Sequence, residues 1–539
     1  MSPLPTGRAV RRWTRRRTNL RSRAGLGEVL SDVYIAAMIV AMYTAMVLSV
    51  TASLGAGLAE APAVGGGFVL APGWLAVLAG VAVLAGVVAL AARIGPVALA
   101  PPEARWWLTL PTDRCTLLRP VAVRWPALAT VPGGAVAAGV VLVLEPGTRA
   151  GETVAAVVLG AALAAAGVVI AGLSQASLRW HRRVRIGADV AVAAVPVLGI
   201  VLAAAAPAAP ALPTTVLPAA VVAVLLASLL AVVLDRGLGR LHGTSLRERG
   251  AVAGEALGAV LSLDTRALGR ALTEATQRAA RPRSSDLRWL GRVPRRWAPH
   301  VALVAADAML LARSRRHLVQ LLAAGCLPAL ALTVPQPVPV VTVVLLVVGA
   351  YVAALATADG ARRAHVAPVL DALLPLGQRQ VRRLRLVAPT AVLVVWSLGV
   401  FAVVGWRSGE VGGWLALGAL TAPVWAAAAV RAAYRPLPDF SGPLVHTPMG
   451  AIPPGMGTVF RKGPDVVALG TLPLVIAVVL GTVTPVLLGV QAALTAVSLV
   501  IVARPESPAP RAGSTRSRRA GDGPAGSQPA SSSASASSS

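Results

Sequence analysis

The residues that could do chemistry are few, and their spacing excludes most enzyme classes. Lys462 is the only lysine in the 539-residue chain, and Gly463 and Pro464 follow it. A P-loop ATPase needs a lysine on the phosphates and a following Ser or Thr on magnesium. The chain therefore has no Walker A motif, and any ATP-driven work must come from another polypeptide.

The histidines, cysteines and carboxylates show no catalytic or metal-binding spacing. None of the six histidines has a second histidine three or four residues further on, and Cys115 and Cys326 lie far apart. There is no Gly-x-Ser-x-Gly elbow and no carboxylate pair inside an apolar run, so hydrolases and lipid-modifying intramembrane enzymes are disfavoured. We predict that the chain is not an enzyme and has no catalytic site, cofactor or metal centre.

One loop stands apart from the rest, the Pro- and Gly-rich segment 436–466. Its turn residues exclude a simple helix. If the loop is functional, the candidate residues are His446, Pro448, Gly450, Lys462 and Asp465. The alternative is a cytoplasmic loop that ends in a helix cap, and we favour this alternative because turn residues alone carry no chemistry.

Composition sets the fold class. Hydrophobic residues make up 56% of the chain, charged residues 13%, and the mean hydropathy is +0.72, which excludes an ordinary water-soluble core. The apolar residues form runs of roughly 20, the length that crosses about 30 Å of hydrocarbon as a helix. Runs such as Val221–Val233 are apolar on nearly every side, unlike barrel strands. We predict an all-α polytopic integral membrane protein with about twelve transmembrane helices.

The predicted spans fall into two groups of six. They lie near 33–57, 73–92, 126–145, 153–173, 187–207 and 213–234, then near 318–334, 338–357, 386–406, 411–430, 466–481 and 484–503. The predicted domains are a basic cytoplasmic segment 1–32, six-helix halves 33–234 and 318–503, a basic linker 235–317 with an amphipathic helix over 251–280, and a disordered tail 504–539.

Arginine alternates between successive loops, which predicts the orientation. Segments such as 8–23, 105–124, 179–185 and 362–385 are arginine-rich, whereas the loops near 59–71, 208–213, 335–339 and 481–485 have none. Cytoplasmic loops collect arginine, so we expect a bacterial inner-membrane protein with both termini in the cytoplasm. The net charge of +28 is thus assigned to loops, not to nucleic-acid binding.

The two halves share a short motif. Leu110, Pro111 and Arg119 precede the third span, and Leu374, Pro375 and Arg383 follow at one offset, because 374 − 110, 375 − 111 and 383 − 119 all equal 264. A repeated fold would produce this spacing. Coincidence is the alternative in a chain rich in Leu, Pro and Arg.

These features resemble the permease subunits of ABC-2-type exporters. The resemblance rests on the basic N-terminal elbow, six spans per half, and the Leu-Pro segments with arginines at Leu110–Arg119 and Leu374–Arg383. The Thr-Pro-Met-Gly and Gly-Pro-Asp sequences between His446 and Asp465 also resemble an uncharacterised polytopic membrane family of GC-rich bacteria.

The resemblance to ABC-2 permeases implies that the chain forms the substrate pathway of an exporter. A separate ATP-binding subunit would dock on the cytoplasmic loops, and the substrate would be a small lipophilic or peptide-like molecule. The candidate coupling residues are Leu110, Pro111, Arg114, Arg119, Leu374, Pro375, Arg379 and Arg383. The alternative is that the arginines in this set only determine the membrane topology.

The alternative function is a non-transporting multi-pass scaffold for envelope-associated partners. Its basic linker and Ser-rich tail would recruit partners or anionic lipid. A neighbouring ATPase gene favours the permease, and its absence favours the scaffold.

Overall fold

The computed structural model describes residues 6–22, 34, 38, 70–145, 147–208, 210, 215–261, 268–269, 271–272, 288–333, 339–434, 445–447, 450–452 and 464–503. Nearly all of the predicted first span, 33–57, lies outside the described residues, as do the predicted tail 504–539 and much of the 436–466 loop.

The described chain is helical apart from one hairpin. Its helices are α1 (Gly7–Ser22), α2 (Pro72–Ile94), α3 (Pro101–Trp107), α4 (Arg114–Leu144), α5 (Ala150–Ser174), α6 (Leu178–Ala205), α7 (Val216–Gly237), α8 (Gly243–Leu261), α9 (Ala298–Arg313), α10 (Arg315–Ala331), α11 (Pro339–Thr357), α12 (Asp359–Val366), α13 (Pro368–Ala372), α14 (Gln378–Ser408), α15 (Val411–Ala433), α16 (Pro464–Gly470), α17 (Leu472–Leu480) and α18 (Pro485–Ala503). Strand β1 (Val445–Thr447) pairs antiparallel with β2 (Gly450–Ile452).

Nine helices among the described residues are long and apolar enough to cross a bilayer: α2, α4, α5, α6, α7, α11, α14, α15 and α18. Each overlaps a predicted span. Their outer faces carry large apolar side chains, as on α7, where Leu217, Val221 and Leu225 are more than half exposed. Apolar surface of this extent suits contact with lipid. The protein is thus a multi-pass helical membrane protein.

The predicted count of twelve spans is not confirmed. Helix α10 has 17 residues, fewer than the roughly 20 that cross the hydrocarbon region in an untilted helix. The predicted span 466–481 is divided at Thr471 into α16 and α17, and Pro473 lies in the first turn of the second piece. Proline has no N–H for the preceding turn and favours a helix start.

Two long helices begin before their predicted spans. The apolar runs start near 126 and 386, but α4 begins at Arg114 and α14 at Gln378. Asp113 caps α4 by accepting hydrogen bonds from the amides of Cys115 and Thr116 at 3.1 Å. At the start of α14, the Gln380 side chain accepts one from the Gly377 amide at 3.0 Å. These caps satisfy amides that would otherwise lack partners.

Small residues allow α4 and α5 to pack closely. A Cβ added to Gly133 would lie 2.5 Å from the carbonyl oxygen of Gly160 on the facing helix. Such contact between backbones is characteristic of helices associating in a membrane, where burial from water does not hold helices together.

The later helices enclose an aromatic core. Phe401 of α14 stacks on Trp414 of α15 with ring centroids 6.2 Å apart. Two glutamines form hydrogen bonds between helices. Gln320 donates to the carbonyl of Val352 and Gln491 to that of Gly470, both at 2.9 Å.

The earlier and later helices meet through α10. The amide of Leu70 donates to the carbonyl of Thr333 at 2.9 Å, and Leu330 packs against Leu78 and Val195. The linker is mostly helical where it is described. Its predicted amphipathic helix starts earlier, at Gly243, and buries Leu246 beside Leu99, while most of 262–287 lies outside the described residues.

Candidate functional site

The two Leu-Pro segments form matching turns. Leu110–Pro111 joins α3 to α4, and Leu374–Pro375 joins α13 to α14. Both following helices have 31 residues, and both of their ends keep the offset, because 378 − 114 and 408 − 144 equal 264. The structure therefore gives the two motifs the same local setting.

The backbone hydrogen bonds of the two turns also correspond. In the first, the Leu110 amide donates to Trp107 and the Thr112 amide to Leu110. In the second, the Leu374 amide donates to Asp371 and the Leu376 amide to Leu374, each residue again 264 positions later. Leu110, Pro111 and Pro375 are exposed, and Leu374 is partly exposed. Both turns therefore leave apolar side chains exposed.

The predicted coupling arginines have different surroundings. Arg114 and Arg379 are exposed in the first turns of α4 and α14. Arg119 forms a two-point ion pair with Asp235 at the end of α7, with Nε donating to Oδ1 at 2.6 Å and Nη2 to Oδ2. Arg383, the counterpart of Arg119, forms no ion pair with any residue that the structure describes.

Carboxylates on several helices are ion-paired with arginines. Besides Asp235, Asp189 of α6 accepts a 2.5 Å hydrogen bond from Arg93 at the end of α2. These ion pairs connect α4 with α7 and α2 with α6.

A buried ionic cluster lies directly beside the second Leu-Pro turn. Nη1 of Arg385 lies 2.8 Å from Oδ1 of Asp307, and Nη2 lies 2.6 Å from Oδ1 of Asp371. The side chains of Arg385 and Asp307 are 8% and 7% exposed. Burial raises the pKa of Asp307, and the guanidinium opposes that shift. The cluster connects α9, α13 and α14.

A glycine makes room for this cluster. A Cβ added to Gly360 of α12 would overlap the Asp307 carboxylate, and the Gly360 carbonyl accepts a 3.3 Å hydrogen bond from Nη1 of Arg385. Nε of Arg385 is buried without a hydrogen-bond partner among the described residues. The guanidinium is thus tightly enclosed, with contacts to three helices, α9, α12 and α13.

A second ionic group adjoins it on α10 and α12. The Asp359 carboxylate accepts from Nε2 of His317 at 3.1 Å and from Nη1 of Arg362 at 2.9 Å. Burial alone would raise the pKa of Asp359, but the hydrogen bond from His317 and the nearby positive charges lower it overall. This group fixes the start of α12 to α10.

Tyr434 closes the same end of the bundle after α15. The Arg382 guanidinium lies 4.9 Å from the centre of its ring, and burial raises the pKa of Tyr434 to about 12. The phenol therefore stays neutral at physiological pH, and the contact with Arg382 is a cation–π interaction.

Sequence reasoning missed this cluster as a site. Asp307 and Arg385 are 78 residues apart, and the available signal was a single carboxylate inside the apolar stretch of α9. The last part of the linker forms two helices, α9 and α10, which are separated at Ser314.

The second predicted site, in the 436–466 loop, is only partly described. His446 and Gly450 lie in the hairpin, where His446 pairs with Ala451 and Thr447 with Gly450. Asp465 lies in α16, whereas Pro448 and Lys462 are outside the described residues. No three metal-ligating side chains come together in the part of the chain that the structure describes.

In a comparison with known protein families, residues 68–443 match DUF6297, a family of unknown function. This range includes both Leu-Pro turns and the ionic cluster. The match agrees with the expectation of a family without a known function, although the sequences between His446 and Asp465 that suggested it lie outside the matched range. No curated protein and no solved structure matches the chain.

Proposed function

We propose a transport role for this chain, which belongs to the DUF6297 family: it is the transmembrane permease subunit of an ABC-type exporter. In this account it lies in the cell membrane with both termini in the cytoplasm and forms the substrate pathway. ATP hydrolysis takes place on a separate subunit, since the sequence has no Walker A motif.

The observation that carries the proposal is the paired geometry of the two Leu-Pro turns. Each turn precedes a 31-residue helix and has the same two backbone hydrogen bonds, 264 positions apart. Such a repeat supports a chain built from two equivalent halves. Two equivalent cytoplasmic turns suit a pair of ATP-binding subunits, one on each half.

The repeat continues on both sides of the turns. Helix α2 corresponds to α11, and α5 to α15, with bounds that agree within three residues at the start and five at the end after the shift of 264. In the first part α2 and α5 both pack against the long helix α4, and in the second part α11 and α15 both pack against the long helix α14. This arrangement supports the division into two halves better than the short sequence motif does alone.

The ionic cluster gives a route from the second turn to the transmembrane helices. Asp371 lies at the end of α13, three residues before Leu374, and Arg385 lies in the second turn of α14. Movement of the turn would pull on Arg385, which also holds Asp307 of α9. A force applied by an ATPase would therefore reach α9 and α14 together.

The scaffold remains the second candidate function. The net charge of +28 and the arginine-rich segments favour attraction to acidic partners or anionic lipid without transport. A scaffold requires no ATP-binding subunit, which separates the two accounts experimentally.

Affinity purification from the native membrane tests the proposal. The tagged chain is extracted in a gentle detergent, and co-purifying chains are identified by mass spectrometry together with an ATPase assay. We expect a stoichiometric ATP-binding subunit that is lost when Leu110 and Leu374 are both changed to Glu. The control Arg407→Ala, at the opposite end of α14, should retain it. Absence of an ATPase from the wild-type sample in several detergents would favour the scaffold.

A further inference from the structure

A groove runs along the outer surface between α14 and α18. It has a volume of about 560 Å³, and its walls are largely apolar, with Leu386, Val387 and Ala391 on one side and Leu499 and Val500 on the other. Arg383 lies at the end of the groove where α14 begins. Both helices are candidate membrane spans, so the groove opens toward the surrounding lipid.

The corresponding arginine in the earlier helices is neutralised within the chain. Arg119 pairs with Asp235, and the offset that takes Arg119 to Arg383 takes Asp235 to Leu499, because 383 − 119 and 499 − 235 both equal 264. Leucine thus stands where the carboxylate would be. Arg383 forms no ion pair within the described part of the chain and remains exposed beside an apolar wall.

We infer that this groove binds one anionic phospholipid, with Arg383 on the phosphate and an acyl chain along the apolar walls. A guanidinium suits a phosphate because it donates two parallel hydrogen bonds. Arg383, Val387 and Ala391 follow one another at intervals of four residues and so share one face of α14. From Arg383 to Ala391 the helix rises about 12 Å, long enough for the upper part of an acyl chain.

Charge identifies the occupant. Arg379 lies one turn before Arg383 and is also exposed, which adds positive charge at the groove end. The chain that follows α18, residues 504–539, contains five arginines and two acidic residues, so it has the wrong net sign to neutralise Arg383. A neutral lipid has no net negative charge to balance Arg383. An anionic lipid provides both a negative charge for Arg383 and an acyl chain for the apolar walls.

Native mass spectrometry of the full-length chain tests this site. The purified protein in a neutral detergent is titrated with phosphatidylglycerol and, separately, with phosphatidylcholine of the same acyl chains. We expect phosphatidylglycerol to bind with higher affinity, and Arg383→Ala to reduce that affinity roughly fivefold while leaving phosphatidylcholine unchanged. Leu499→Asp should have the same effect, because it supplies an internal partner for Arg383.

Three controls keep the result interpretable. Leu499→Asn changes the same position without charge and should retain binding, and so should Arg407→Ala at the far end of α14. Size-exclusion profiles identify any variant that misfolds, in which case the contrast between Leu499→Asp and Leu499→Asn decides whether an anionic lipid binds at Arg383.

Equal binding of the two lipids by the wild type overturns the inference. Displacement of phosphatidylglycerol by millimolar inorganic phosphate would show a simple anion site and overturn it too. A several-fold gain in lipid binding on removal of residues 504–539 would identify that segment as the occupant instead.

Discussion

Arg385 and Asp307 form a buried ion pair that joins the long helix α14 to α9, with Nη1 and Oδ1 2.8 Å apart. Arg385 also holds Asp371, the carboxylate nearest the second Leu-Pro turn, at 2.6 Å. One guanidinium therefore connects a predicted partner-binding turn to two helices of the bundle.

We predict that Asp307→Ala strongly destabilises the protein. It leaves the Arg385 charge buried with only part of its compensation, and breaking such a pair costs about 3–5 kcal/mol. The measurement is the apparent melting temperature in detergent. Arg385→Lys should lose less than Arg385→Ala, because a lysine keeps the charge but cannot span both carboxylates. An Asp307→Ala protein that melts with the wild type would show that the pair adds nothing to stability.

We also predict that Gly360→Ala is destabilising. The new Cβ would overlap the Asp307 carboxylate, and relieving such overpacking costs about 1–3 kcal/mol. Gly399→Ala is the matched control, since it lies in a helix with no neighbouring atom within 4 Å of the added Cβ. The same melting experiment compares the two, and similar melting temperatures would contradict the close packing around Asp307.

Asp359 predicts a specific pH dependence of stability. Its pKa lies below the ordinary value of 3.8 in the folded protein, so the carboxylate contributes stability that is present above that value and is lost as the pH falls below it. The wild type should therefore lose more stability than Asp359→Asn between pH 5 and the most acidic pH at which both stay folded. If the melting temperatures of the two proteins fall equally over this pH range, the Asp359 carboxylate does not stabilise the folded protein.

The close approach of α4 and α5 predicts the effect of Gly160→Val. A Cβ here would meet the Gly133 backbone, so a branched side chain should separate the helices and lower the melting temperature. Gly151→Val in the first turn of α5, where nothing lies within 4 Å of the added Cβ, provides the control. Cysteine pairs placed across the interface would report the separation as slower disulfide formation.

The sequence predicts the apolar helices well because about 20 apolar residues in a row have few other stable states. Helix α7, Val216–Gly237, lies close to the predicted span 213–234 for this reason. Hydropathy does not predict the helix starts at Arg114 and Gln378, because each helix begins in polar residues that precede the apolar run. The Asp113 cap was the available local signal, since aspartate favours this position.

The candidate site is harder to predict because its contacts are long-range. The Leu-Pro repeat is visible as a spacing of 264, but the pairing of Asp307 with Arg385 depends on how α9 packs on α14. No local pattern encodes that packing. The division of span 466–481 was also missed, although Pro473 marks the start of α17.

The most direct test of the proposed function is photocrosslinking in living cells from the two Leu-Pro turns. A photoreactive amino acid replaces Leu110 or Leu374 in separate proteins, with exposed Trp406 at the other end of α14 as the control position. The account predicts that both turns crosslink to the same ATP-binding polypeptide and that position 406 does not. If neither turn crosslinks to an ATP-binding polypeptide, this result contradicts the assignment as an exporter permease.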